Sequence, residues 1–137
     1  MTPFKLQIIT PDGVFYDGMT ENVIVRTTVG DKGILARHEP YVVALPIGKF
    51  KVKIDGEFRY GAIASGTIKV DKDKTVILAQ SCEWAEEIDL DRAVKAKELA
   101  EQRLEEFEKQ NNDTGVAVAE YKLKRAINRI ETYKLKK

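Results

Sequence analysis

Apolar and polar residues alternate with a period of two through most of the first two-thirds of the chain. Phe4, Leu6 and Ile8 alternate with Lys5 and Gln7, and Val23 and Val25 with Ile24 and Arg26. Phe50, Val52 and Ile54 alternate with Lys49, Lys51 and Lys53, and Ile68 and Val70 flank Lys69. This period belongs to strands with one buried face. Turn-forming runs separate them: Pro11-Asp12-Gly13, Gly30-Asp31-Lys32-Gly33, Asp55-Gly56 and Asp71-Lys72-Asp73. Asp55-Gly56 between two alternating runs predicts a two-residue hairpin. Short strands at this spacing predict an antiparallel β-sandwich or barrel of about ten strands over residues 1–87.

The pattern then changes. All four prolines and eight of the nine glycines precede residue 88, and Gly115 is the exception. Freed of helix breakers, the remainder reads as helix. Leu90, Ala93, Val94, Ala96, Leu99, Ala100, Leu104 and Phe107 recur at spacings of three and four over residues 89–110, which is one face of a helix. Asp89 suits the N-cap and Asp91 the first turn. Asn111-Asn112-Asp113-Thr114-Gly115 interrupts the pattern. A second helix follows over about 116–134, with Ala119, Leu123, Ala126, Ile127, Ile130 and Tyr133 as its apolar face. The short break predicts an antiparallel two-helix hairpin over 88–137.

Charge adds to this picture. The 137 residues carry 23 Lys and Arg against 22 Asp and Glu, a net +1, which is no general nucleic-acid coat and no acidic tail. The distribution is uneven. Residues 88–120 hold five basic and nine acidic side chains, net −4, and residues 121–137 seven and one, net +6. The two helices are therefore complementary in sign. Each is short and buries little, so the hairpin is expected to be marginal alone and easily biased.

Chemistry is sparse. One cysteine, Cys82, excludes an internal disulfide. One histidine, His38, with that one cysteine excludes a Cys/His zinc site within the chain. Gly30-Asp31-Lys32-Gly33 lacks the ending of a phosphate-binding P-loop, and Asp71-Lys72-Asp73 lacks the ligand number of a calcium site. No metal site and no catalytic pair is expected. No run is apolar for long enough to cross a membrane. Lys122, Lys124, Arg125 and Arg129 form a basic cluster, with Arg125 and Arg129 one turn apart. From pattern alone it is either a solvated face paired with the acidic helix or a site for phosphates or an acidic partner.

In order along the chain, these segments resemble the epsilon subunit of bacterial F-type ATP synthase. The opening FKLQIITPDGVFYDG is similar to that family's first two strands, and Gly30 to Leu35 followed by His38 to its glycine-rich loop. Thr75-Val76-Ile77-Leu78-Ala79 and then Ile88-Asp89-Leu90-Asp91-Arg92-Ala93 form the most specific match. Leu123 to Arg129 resembles the family's second helix. Ala36-Arg37 stands where a Pro-Gly usually precedes the histidine.

The resemblance implies a non-catalytic rotor subunit in the central stalk, peripheral on the cytoplasmic face of the bacterial membrane. Residues 1–87 would dock the gamma subunit and the ring of c subunits. Residues 88–137 would be regulatory, lying folded on the sandwich or extending along gamma to the alpha/beta catalytic hexamer and blocking ATP hydrolysis. Lys122, Arg125 and Arg129 are the implied inhibitory contacts. Some members bind ATP as a regulatory ligand on the folded hairpin, with magnesium a further question. Carried over, Glu83, Ile88, Asp89 and Ala93 would surround adenine, and Arg92, Arg125 and Arg129 would hold phosphates. Leu99 stands where strong binders carry another basic residue. Two other classes remain as alternatives. A stand-alone nucleotide- or nucleic-acid-binding module would use the basic second helix, and a small enzyme would have to be built on His38.

Overall fold

In a computed structural model, residues 2–28, 30–34 and 39–136 are described. Ten strands form two five-stranded sheets among these residues. The first sheet has the order β2-β1-β9-β8-β5, from Gly13–Thr20, Phe4–Thr10, Lys74–Ala79, Gly66–Val70 and Tyr41–Leu45. The second has the order β10-β7-β6-β3-β4, from Cys82–Trp84, Glu57–Ile63, Gly48–Ile54, Val23–Thr27 and Gly30–Ile34. The sandwich is antiparallel with one exception: β1 runs parallel to β9, from Lys5 opposite Lys74 to Ile9 opposite Leu78. Period-two patterning is blind to strand direction, so this pair was not readable from the sequence.

The alternating residues meet between the sheets. Leu6, Ile8, Val23, Val52, Ile68 and Ile77 are fully buried, and the continuous core closes on Phe50 and Trp84. The Trp84 ring lies 5.0 Å from Phe15 and 5.5 Å from Phe50. The Arg59 guanidinium covers it at 4.1 Å, a cation–π contact. Asp55 and Gly56 have φ of 51° and 81° between β6 and β7, the left-handed pair that a tight hairpin requires. Gly30-Asp31-Lys32-Gly33 differs from its reading as a turn. It forms most of β4, an edge strand paired from Thr27–Gly30 to Val23–Ile34. Its backbone bonds to β3 outweigh a composition that local propensity assigns to a loop. Leu35 to His38 lies outside the described residues.

A single 3-10 turn, Ala85–Glu87, leads to α1 (Leu90–Lys109) and α2 (Asp113–Tyr133). Asp89 caps α1, its Oδ1 accepting from the Arg92 backbone N–H at 3.1 Å. The second helix begins earlier than the sequence pattern suggests, because Asn112 is its N-cap and accepts from the Gly115 N–H at 3.0 Å. Gly115 therefore sits inside the first turn and does not mark the break. The two helices pack through small residues, with Ala93, Ala100, Gly115, Ala119 and Ala126 all buried. Val94, Leu99 and Ile127, expected on apolar faces, are exposed. α2 lies between α1 and the second sheet, so its buried set is split between two opposite faces.

Candidate functional site

Polar contacts fasten α2 to the sandwich. Asn128 is buried and its Nδ2 donates to the Gly48 carbonyl at 2.9 Å. Within α2, the fully buried Thr132 donates its hydroxyl back to the Asn128 carbonyl at 2.7 Å, so this group needs no partner on the sandwich. Lys49 and Glu131 form an ion pair at 3.3 Å, and the Ser65 and Tyr121 hydroxyls stand 3.4 Å apart. The strongest tie is from Arg129 to Glu83 on β10. Arg129 Nε donates to Oε1 at 2.7 Å and Nη2 to Oε2 at 3.1 Å. The two side chains are only 18% and 30% exposed. A forked, partly desolvated pair of this kind is stronger than a surface ion pair.

On the flank of α2 adjoining this tie, a groove of about 640 Å³ runs between the helices. Its apolar lining includes Ala96, Leu99, Ala100, Val118 and Ala119. Its walls carry five cationic side chains: Arg92 and Arg103 from α1, and Lys122, Arg125 and Arg129 from α2. Arg103 follows Arg92 by eleven residues, close to three full turns, which returns it to the same side of the helix. That spacing was available in the sequence, but only the folded hairpin shows that Arg103 and Lys122 face one cleft.

The implied phosphate residues Arg92, Arg125 and Arg129 thus share one groove. The implied base residues do not line it. Glu83 is engaged with Arg129, Asp89 caps α1, and Ile88 and Ala93 are buried against neighbouring chain. His38 lies outside the described residues. Cys82 has its thiol pKa raised by burial, reinforced by the neighbouring Glu83 charge, which suits a packed side chain and not a nucleophile.

A second surface lies on the outer face of the first sheet. Cross-strand pairing places Val14, Ile9, Leu78, Thr67 and Ala44 in one row spanning all five strands. Val14, Leu78 and nearby Val42 are 64%, 55% and 63% exposed. Large apolar side chains exposed together on one sheet face, with Thr67 the polar member of the row, form a surface suited to contact with a partner.

A two-sheet sandwich carries a helical hairpin with a cationic groove between its helices. Comparison with known proteins assigns the class. The model for the ATP synthase delta/epsilon chain β-sandwich domain matches residues 3–85, and that for its long α-helix domain residues 86–134. The chain is 46% identical over 127 residues to the ATP synthase epsilon chain of Alkaliphilus metalliredigens, covering 93% of this chain and 92% of that one. It is 44% identical over 131 residues to the epsilon chain of Bacillus velezensis, covering 96% and 97%. Among solved structures it resembles a chain of the Euglena gracilis mitochondrial ATP synthase, a structure of OSCP, F1 and c-ring in rotational state 1. The TM-score is 0.79 at 22% identity, covering 98% of this chain and 81% of that one. At that identity the likeness speaks for the fold. The chain belongs to the delta/epsilon chain family of ATP synthases, as an epsilon-type, non-catalytic subunit of the F-type enzyme. No helix among the described residues is long and apolar enough to cross a membrane.

Proposed function

We propose that this chain joins the gamma subunit and the ring of c subunits through its sandwich, on the cytoplasmic face of the bacterial membrane, and restrains ATP hydrolysis through its hairpin. The apolar band through Val14, Ile9 and Leu78 is the gamma-docking face, since a rotor partner would cover the surface the fold leaves bare. The hairpin has two positions. Folded, it rests on the sandwich as described above. Extended, Lys122, Arg125 and Arg129 reach acidic residues of the alpha/beta hexamer and block rotation in the hydrolysis direction.

The observation that carries the regulatory reading is the shared groove. Arg92 comes from one helix and Arg125 and Arg129 from the other. A polyanion held by both helices at once stabilises the folded hairpin by its differential affinity for that state. ATP is the proposed ligand. Its phosphates meet the arginines, and the same arginines are then withheld from the hexamer. Ile88, Asp89 and Ala93 are the proposed base side, which opens by rearrangement of the Glu83–Arg129 tie.

Calorimetric titration of the purified chain with ATP, with and without magnesium, tests the ligand. Saturable one-to-one binding, lost on Arg92→Ala, is expected. Absence of heat at millimolar ATP would leave the rotor role standing and remove ATP as its regulator.

A further inference from the structure

Among the described residues, Arg129 is the one that both borders the groove and hydrogen-bonds to the sandwich. Its Nε and Nη2 are directed to Glu83 by the two bonds at 2.7 and 3.1 Å, and the pair is largely withdrawn from water. We infer that Glu83 acts as a built-in anion: in the empty site it holds Arg129 against β10, and an oligophosphate entering the groove must compete with it. This inference rests on the groove being an anion site, and it adds what regulates that site.

Two consequences follow from the same pair. First, Glu83 lowers oligophosphate affinity. It neutralises one of five groove cations and places a negative charge behind a site meant for several more. Second, Glu83 holds the hairpin closed when no ligand is present, because Arg129 ties α2 directly to β10. The empty protein therefore does not depend on ligand for its folded state, and the ligand takes over a tie that the protein already makes. This differs in sign from a role in which Glu83 accepts from the amino group of a base. There, removing the carboxylate would weaken ATP binding and leave a base-free phosphate untouched.

Inorganic tripolyphosphate separates the two roles because it has no base. In the full-length chain, Glu83→Gln keeps the side-chain shape and removes the charge, and Glu83→Ala serves as a second variant, with circular dichroism confirming that both fold. Titration calorimetry is expected to show tripolyphosphate binding to each variant about three- to tenfold more tightly than to the wild type, the effect of freeing one charge-assisted contact. Hydrogen exchange without ligand is expected to show α2 amides around Arg129 opening faster in both. Tripolyphosphate affinity that is unchanged or weaker in the variants, while the wild type binds ATP, would overturn the role given to Glu83 and leave the groove as an ATP site. A wild type that binds neither ATP nor tripolyphosphate would overturn the anion site itself, and this inference with it.

Discussion

A Cβ added to Gly115 would stand 2.5 Å from ring carbons of Phe107. The first turn of α2 and the last turns of α1 therefore meet at a spacing that only glycine permits. Intrinsic propensity favours alanine over glycine in a helix by about 1 kcal/mol, but overpacking at a closed contact costs about 1–3 kcal/mol. Gly115→Ala is expected to loosen the hairpin, read as faster amide exchange at both helix ends near the connection. Slower exchange there would show that propensity outweighs the contact.

Asn128 is a buried polar residue whose amide satisfies the Gly48 carbonyl at 2.9 Å. Asn128→Ala removes the donor and leaves that carbonyl without it, at a cost of about 1–3 kcal/mol. The loss falls on the docking of α2 and not on the core between the sheets. Limited proteolysis should cut the hairpin of this variant faster than that of the wild type, with the sandwich remaining resistant.

The continuous core drawn from both sheets ends at Trp84. A chain ending at residue 87 is therefore expected to fold alone and to show a cooperative thermal transition, with a lower midpoint because the surface beneath α2 becomes exposed. Loss of a cooperative transition would mean that the hairpin completes the core.

Burial raises the pKa of the Cys82 thiol, and also raises those of the Tyr16 and Tyr41 phenols. In the unfolded chain the thiol titrates near its ordinary 9.0 and the phenols near 10.0. Folded-state values above these mean that stability is intact below about pH 9 and falls as the pH rises further, because the unfolded chain releases its protons first. The thermal midpoint should be flat from neutrality to about pH 9 and then decline. Cys82→Ser should blunt the first part of that decline.

Much of the fold was legible because both periods were clean. The strands with Leu6, Val23, Val52 and Ile68 inward follow from alternation alone, and the Asp55-Gly56 hairpin from turn chemistry. What alternation could not reveal was direction or edge position, so the parallel β1–β9 pair and the strand at Gly30–Ile34 needed the structure. The helices were visible as helices, but the faces of α2 were not. It packs α1 on one side and the second sheet on the other, and the latter contact uses Asn128 and Thr132, which a hydrophobicity pattern counts as surface. In the groove, the spacing of Arg125 and Arg129 was readable as one turn. Arg103 and Lys122 joined them only once the antiparallel packing set the two helices in register. The Glu83–Arg129 bond spans 46 residues of chain, and no local pattern encodes it.

Replacing Arg125 and Arg129 together by alanine removes two of the groove's five cationic walls and the tie to Glu83. ATP affinity is expected to fall by roughly tenfold or more, and inhibition by the extended hairpin to weaken at the same time. A variant that loses ATP binding but inhibits fully would show that the arginines serve the ligand alone.

The most direct test of the central claim is the ATP hydrolysis rate of the assembled F1 complex carrying either the full chain or the chain ending at residue 87. The account predicts that both assemble with gamma, and that hydrolysis is suppressed with the full chain and released with the shortened one. Equal rates in two complexes of equal composition would contradict a regulatory hairpin.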